Sequence, residues 1–424
     1  MTIQTNLLLL LISIFLSCQA ILSLWQMIYG WLNPKKINLN KMPKHIYPPL
    51  TFFSIIVPAR HEENVIADTL RQIIKQSYSK NYFEIIIPMS KDDIDTILEV
   101  EKIQRNNLNV NIKKVIFYDG PINKPHGLNI ALNEAKGDYI VIFDAEDHIH
   151  PYLLNGINSL IIEEKRQIIQ TGVSLVNWKS NWFSIHPVLE YYYWFNSRLH
   201  WYRDKGIIPL AGVGIFIPKE ILLKVKGWDE KCLTEDAKLG INCSIKNYPV
   251  RLLVDEEYSI QEEVPIKLDA FIKQRTRWIQ GFLQILVSKI WKNLDYKKQF
   301  YFFTLFLFPI FQLFIYIWSI ISLFLFNNQS ILITLISFLP LIILLFQIFI
   351  QFSGILEISA KRKQLHYAIY LIPMFVLTYF PYQIILFYST VRAIVRMVTG
   401  NIYWEKTTHF NTNRKILNVT QSRI

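Results

Sequence analysis

The chain is poor in cysteine and in charge. Three cysteines, Cys18, Cys232 and Cys243, stand among 424 residues, too few for a disulfide framework, so a reducing, cytosol-facing body is expected. Charged residues make up 18%, against about 25% in ordinary soluble domains. That scarcity excludes a disordered chain and argues against a wholly soluble enzyme. No charge occurs before Lys35. A cleaved signal peptide needs a basic residue ahead of its apolar run and a small-residue cleavage site behind it, and both are missing. No internal repeat and no low-complexity tract stands out.

What is present is apolar. Hydrophobic residues make up 51% and aromatics 14%. Residues 7–32 are almost continuously apolar, long enough to cross a hydrocarbon core of about 30 Å. Lys35, Lys36, Lys41 and Lys44 follow, which orients this anchor from outside to inside. Three further uncharged runs, 300–326, 330–356 and 367–391, are each long enough to cross. Asn327, Asn328 and Gln329 form a short polar hairpin placed outside, and Lys361, Arg362 and Lys363 then fall inside. One more simple crossing would leave Arg392 and Arg396 outside, against the usual bias. Pro373 and Pro381 are therefore read as places where the last segment could break or turn back.

The net charge of +12 has an uneven distribution. Residues 1–61 hold five basic groups and no acid, and residues 296–424 hold eleven against Glu357 and Glu405. The middle, 62–295, carries 29 basic groups and 31 acids. The excess lies beside the greasy ends, as basic flanks of membrane segments do, and it is not a nucleic-acid footprint.

The middle region alternates strand-like and helical patterns. Residues 53–58 read as a buried strand and 63–76 as a helix, with further strands at 83–87, 112–117 and 139–143. This alternation predicts a mostly parallel sheet covered on both faces, with ligands at the carboxyl ends of its strands. The first strand is followed by Val57-Pro58-Ala59-Arg60-His61-Glu62, the second by Lys91-Asp92-Asp93, and the strand 139–143 by Asp144-Ala145-Glu146-Asp147. Such a cluster of acids after a buried strand is costly without a positive partner. A divalent cation with hard oxygen ligands, Mg²⁺ or Mn²⁺, answers that need and brings substrate phosphates with it; a solvated acidic turn is the plainer alternative. Thr234-Glu235-Asp236 opens an amphipathic helix, either as an ordinary helix start or as a general base at a cleft. Gln274-Arg275-Thr276-Arg277-Trp278 lies in a helical stretch before the membrane. It suits an interfacial helix, or an arginine that grips a diphosphate beside a tryptophan that stacks on a sugar or base.

In this order the motifs resemble those of the family 2 glycosyltransferases, in particular membrane-embedded, cellulose-synthase-like enzymes. The resemblance covers residues 50–290 by motif and the flanking helices by layout. Asp144-Ala145-Glu146-Asp147 is similar to the family's D-x-D motif, Thr234-Glu235-Asp236 to its T-E-D motif, and Gln274, Arg277 and Trp278 to its Q-x-x-R-W motif. Lys91–Thr96, Asn123–Asn129, Pro209–Gly212, Gly227–Asp229 and Trp404–His409 resemble one bacterial branch described as exopolysaccharide synthases.

The resemblance implies a GT-A-like α/β domain inserted between an N-terminal transmembrane helix and C-terminal ones: anchor 1–34, cytosolic domain 35–298, membrane region 299–398 and tail 399–424. It implies an inverting transfer from a nucleotide-sugar, a UDP-sugar, to a growing polysaccharide. Asp236 is then the base, with Glu235 beside it, and a cation is held by Asp144 and by Glu146 or Asp147. Pro58 and Arg60 belong to the opening nucleotide site. Glu62 and Asp92, with Asp93 the alternative, contact the uridine. Lys124 lies near the donor phosphates, and Gly212 lets the acceptor approach. The aromatic run Tyr191–Phe195, with Trp201 and Tyr202, is read as packing in preference to a glycan channel. Two rivals are a transferase adding one sugar to a lipid and a non-catalytic scaffold on the same fold. The expected partners are the donor, a glycan or lipid acceptor, the bilayer, and for polymer export a second subunit or copy. The expected location is a bacterial inner membrane, with the catalytic domain in the cytosol.

Overall fold

A computed structural model describes residues 3–165, 167–325 and 331–405. It divides into two compact units, each treated by itself.

The first-described unit comprises 35–178, 206–271 and the segment from Tyr403. Its centre is a seven-stranded sheet in the order β3-β2-β1-β4-β7-β5-β8. Strands β1 (Phe53–Ile56), β2 (Phe83–Ser90), β3 (Asn111–Phe117) and β4 (Tyr139–Ile142) are mutually parallel. Phe53 pairs with Phe83 on one side and Tyr139 on the other. β7 (Ile215–Pro218) runs antiparallel between β4 and β5 (Ile168–Thr171), and β5 is parallel to β8 (Val250–Leu253). A small second sheet pairs β6 (Val173–Leu175) with β9 (Ile260–Glu262). Every residue of β1, β2 and β4 is buried, which explains their continuous Ile, Val and Phe content: strands covered on both faces have no solvent side to make polar. Leu128, Leu132, Ile140, Ile142, Ile215, Leu222, Trp228 and Leu239 pack on one face of this sheet. The strand order reverses between β1 and β4, and the crevice there, at the carboxyl ends, is where an open α/β sheet binds its ligand.

The other unit comprises residues up to Pro34, 179–205 and 272–402. Residues 179–205 and the helix segment from 272 onward, grouped by the sequence with the glycosyltransferase domain, thus pack with the apolar helices. Among the described residues, three helices are long and apolar enough to cross a membrane: Asn6–Leu32, Ile331–Lys361 and Leu365–Val398. The run at 300–326, expected to cross once, is built as a pair of helices, Tyr296–Phe306 and Phe308–Phe324, bent by 60°, the geometry of a broken span or of a re-entrant loop. Pro309 explains the bend. Its ring clashes with the carbonyl one turn back and disfavours helical geometry at Phe308. Pro373 and Pro381, read as places where the last segment could break or turn back, lie inside one continuous helix, Ala368–Val398. Polar stitches hold this unit, with Trp318 Nε1 donating to Ser13 Oγ at 3.0 Å. Tyr193, Phe195, Trp201 and Tyr202 are buried, and the Tyr193 hydroxyl donates to Ile350 O at 2.6 Å, so these four serve as packing, while Tyr191, Tyr192 and Trp194 are half-buried. The polar hairpin 327–329 and Lys406–His409 lie outside the described residues.

Candidate active site

The turn after β1 is tied to the turn after β2. Val57 N–H donates to Ile86 O and Ala59 N–H to Pro88 O, so pairing continues past the strand. His61 then takes a left-handed φ of 53°, unusual for a residue with a β-carbon. Asp93 holds it there by accepting the His61 N–H at 2.5 Å, while Glu62 N–H donates to Thr96 Oγ1 at 2.9 Å. Asp93 is buried by this task; Asp92 is exposed. Pro58 is half-buried on the same turn, and Arg60 donates to Ile122 O at 3.2 Å.

The acids after β4 divide in the same way. Asp147 is fully buried and turns back to accept the Asp144 N–H at 2.8 Å, and Thr69 Oγ1 clamps the turn through Ala145 O at 2.6 Å. Burial, then the charges of Glu262, Asp144 and Glu146, push the Asp147 carboxyl well above the usual range. Asp144 and Glu146 stay half-buried. Of the two alternatives for a second cation ligand, Asp147 braces the turn through Oδ2, while Glu146 is half-buried.

Lys124 joins this turn to the rest of the site. It is the first residue of helix Lys124–Glu134, whose N-cap Asn123 accepts the His126 N–H. Its ammonium forms an ion pair with Asp144 and donates to Gly212 O at 3.1 Å. Burial alone would lower its pKa, but Asp144, Glu235 and Asp236 outweigh that and hold it above the ordinary lysine value. Asp236 is half-buried in the first turn of helix Glu235–Ile245, behind a buried Glu235. Thr234 stands at the N-cap without a side-chain capping bond. A β-carbon placed on Gly212 would lie 3.2 Å from Asp236 Oδ2 and 3.4 Å from Lys124 Nζ. Positions 124, 144, 212 and 236 therefore meet around one small space.

Two residues that the sequence did not single out support it. Gln170, fully buried in β5, accepts the Ala211 N–H at 2.8 Å and donates to Val213 O at 2.9 Å, pinning both sides of Gly212. Glu262, at the end of β9, is pushed up to about 8 by burial and then by Asp144 and Glu146, with Lys124 pulling the other way. An acid in a three-residue strand carries no sequence signal of its own.

The branch motifs form a clamp. Glu230 accepts from Asn129 Nδ2 at 2.9 Å and sits 3.0 Å from His126 Nδ1. Asn129 also donates to Trp228 O and accepts the Trp228 N–H, both at 2.9 Å. Gly227 has a φ of 67°, and a β-carbon there would strike the Asn129 amide. Asp229 pairs with Lys238 on the helix that carries Asp236.

Gln274, Arg277 and Trp278 belong to the membrane-helix unit. There Arg275 pairs with Glu190 at 2.7 Å and stacks 4.8 Å from the Trp278 ring. Among the described residues no group of three or more acids, histidines or cysteines is assembled to hold a metal ion. Asp144 and Glu146 fit a different donor set, one or two carboxylates completed by substrate phosphates and water.

A mostly parallel sheet with its acids at the switch point and a lysine at a helix start defines a GT-A-like transferase fold. The chain belongs to the glycosyltransferase-like family 2, whose profile matches residues 48–281. It is 24% identical to a probable glycosyltransferase of Bacillus subtilis over 89% of each chain. It is 27% identical to a beta-monoglucosyldiacylglycerol synthase of Trichormus variabilis over 57% of this chain and 51% of that one. It is 25% identical to a poly-beta-1,6-N-acetyl-D-glucosamine synthase of Staphylococcus aureus over 62% of each. The chain thus spans about half to three-fifths of the two relatives whose products are named. A mannosyltransferase from Pyrobaculum calidifontis, solved with GDP-Man and Mn²⁺, shares the fold with a TM-score of 0.54 at 16% identity, over 91% of this chain and 99% of that one.

Proposed function

We propose that this chain transfers a glycosyl group from a nucleotide-sugar, taken as a UDP-sugar, to a hydroxyl acceptor at a membrane in one inverting displacement. The observation that carries this reading is the meeting of Lys124, Asp144 and Asp236 around Gly212. The acceptor hydroxyl enters over Gly212, where no side chain intervenes. Asp236 takes its proton as the oxygen bonds to the anomeric carbon. The bond to the donor diphosphate breaks in the same step, and the charge developing there lies beside the Lys124 ammonium. Asp144 and Glu146 would hold Mg²⁺ or Mn²⁺, which when bound supplies further charge stabilisation to the leaving diphosphate. The raised Glu262 carboxyl supports that assignment, since it marks a surplus of negative charge around Asp144 and Glu146. Pro58, Arg60, Glu62 and Asp92 take the nucleoside side of the crevice, with Asp93 shaping the turn. Gln274, Arg277, Trp278 and Glu235 enter by the family motifs alone.

Two observations weigh on the acceptor. The described residues hold three candidate membrane helices, four at most, few for a polymer channel within one chain. Four of the aromatics that could have lined such a channel, Tyr193, Phe195, Trp201 and Tyr202, are spent on packing. Both favour a lipid acceptor glycosylated once. Polysaccharide extension is the second reading, supported by the likeness to the poly-N-acetylglucosamine synthase. The basic flanks of the apolar segments support a bacterial inner membrane with the catalytic unit in the cytosol.

The test uses purified full-length protein with each UDP-sugar, Mg²⁺ or Mn²⁺, and bilayer lipids, reading UDP release and product mass. A single glycolipid is expected, and a ladder of sizes would restore the polymer reading. Asp236→Asn should lower turnover by about 10²–10⁴ with UDP affinity unchanged. Full activity in that variant would sink the base assignment.

A further inference from the structure

In the membrane-helix unit, Arg198 has no role in the reaction described above. It closes a π-helical turn, Trp194–Arg198, a geometry that recurs at functional positions. The side chain is half-buried. Its Nη2 donates to Ser23 Oγ at 3.1 Å, and its guanidinium lies 4.9 Å from the Phe308 ring. Gln347 Nε2 donates to the same Ser23 hydroxyl at 3.3 Å. Phe308 opens the apolar helix beyond the 60° bend, so the guanidinium stands at the level where that segment begins.

A guanidinium carries five donors and a permanent charge. Here one donor is used, by a neutral hydroxyl. Among the described residues no carboxylate forms an ion pair with Arg198. Glu190 acts on it through space, but that carboxylate is already held by Arg275 at 2.7 Å and by the Tyr382 hydroxyl at 2.7 Å. Burial accordingly lowers the Arg198 pKa. Enclosing a cation without an anion is costly, and an arginine fork matches phosphate oxygens in shape as well as charge.

We propose that Arg198, with Ser23 and Gln347, forms a seat for a phosphate group carried by a membrane lipid. The lipid source is favoured over a soluble anion because Ser23, Phe308 and Gln347 all lie on apolar helices of this unit. The proposal is independent of the transfer reaction, and its readout is binding.

Full-length protein in a neutral detergent is titrated with phosphatidylglycerol, with diacylglycerol of the same acyl chains, and with inorganic phosphate, following bound lipid by native mass spectrometry and the thermal midpoint. Phosphatidylglycerol should bind and raise the midpoint, while diacylglycerol and millimolar phosphate should do neither. Arg198→Gln should weaken phosphatidylglycerol binding at least tenfold, with Arg198→Lys intermediate. Because Arg198→Gln removes a charge from a packed turn, Gln347→Leu serves as a second variant, expected to weaken binding severalfold with the charge retained. Unchanged affinity in both Arg198→Gln and Gln347→Leu, or equal binding of diacylglycerol, would overturn the seat. Equal binding of inorganic phosphate would overturn its assignment to a lipid.

Discussion

Two glycines two residues apart give a sharp test of where the chemistry lies. Gly212 has no left-handed φ, so alanine is compatible with its backbone. The added methyl would stand 3.2 Å from Asp236 Oδ2 and 3.4 Å from Lys124 Nζ. Both neighbours are ends of side chains and can yield a few tenths of an ångström. Gly212→Ala should therefore change stability by no more than about 1 kcal/mol, which moves the thermal midpoint by about 2–4 °C in a domain of this size. The reacting atoms, however, must approach to about 3–3.5 Å in the same space, and a displacement near 1 Å costs about 10²-fold. Steady-state turnover should thus fall about 100-fold or more, near 2.7 kcal/mol of barrier. UDP affinity by calorimetry should stay within about twofold, since the proposed nucleoside contacts lie on the turns after β1 and β2. Gly214 is the contrast. Its φ is 63°, and a β-carbon there would run into Thr171 and lie 3.0 Å from Ile260 Cγ1. Gly214→Ala must bear a left-handed alanine, about 1–2 kcal/mol, and a packing clash as well, so it should lose stability first. A Gly212→Ala enzyme with full turnover, or one as unstable as Gly214→Ala, would refute the placement of the acceptor over Gly212.

Other outcomes follow from the surrounding residues. In metal-free protein Glu262 has its pKa raised from 4.5 to about 8, so the folded state binds a proton there that the unfolded chain has released. The stability this gives is fully present below about pH 4.5 and is lost as pH rises through about 8. At about 1.4 kcal/mol per pH unit its ceiling is near 5 kcal/mol, and Glu262→Gln should flatten the fall in thermal midpoint between pH 5 and 9. A mutant curve parallel to the wild type would exclude the assignment. Glu230→Ala should cost about 1–3 kcal/mol by stranding the partners His126 and Asn129, and should lower kcat more than it raises the donor KM, because Lys124 loses its support. Glu230→Gln keeps an acceptor for Asn129 and should recover much of both.

Much of the catalytic unit was legible because its strands are buried on both faces. That condition forces continuous apolar runs, and the four expected near 53, 83, 112 and 139 appear as β1 to β4. The acids and turns behind those runs then had to fall at the carboxyl edge. What spacing could not reveal was which acid of a cluster faces the crevice. Asp147 and Asp93 look like ligands in the sequence, and one carboxylate oxygen of each accepts a backbone N–H of its own turn or a neighbouring one. Gln170 and Glu262 escaped notice for the opposite reason, since each acts through folding contacts with segments far along the chain. For the last segment the sequence left two courses open, a continuous helix or one broken at its prolines. Pro373 and Pro381 lie within a continuous helix, whereas Pro309 stands in the first turn of the uncharged helix Phe308–Leu325, just past a helix bearing Lys297 and Lys298. There the change in polarity and the proline coincide.

The branch motifs show how a sequence signature can be specific without touching substrate. Asn129, Gly227, Trp228, Asp229 and Glu230 place no group in the space around Gly212. They bind the helix that begins at Lys124 to the loop that leads into the helix bearing Asp236. Lys124 must hold its ammonium near Asp144 while Asp236 faces the same space from another helix, and a small error in either start would separate them. Gly227 is fixed by this arrangement, because its left-handed backbone and its contact with Asn129 both exclude a side chain. On the roles proposed for Lys124 and Asp236, the signature records the distance between a phosphate-facing cation and a base. On that reading the distance serves transfer to a lipid or to a sugar chain equally, so these residues do not distinguish the two acceptors.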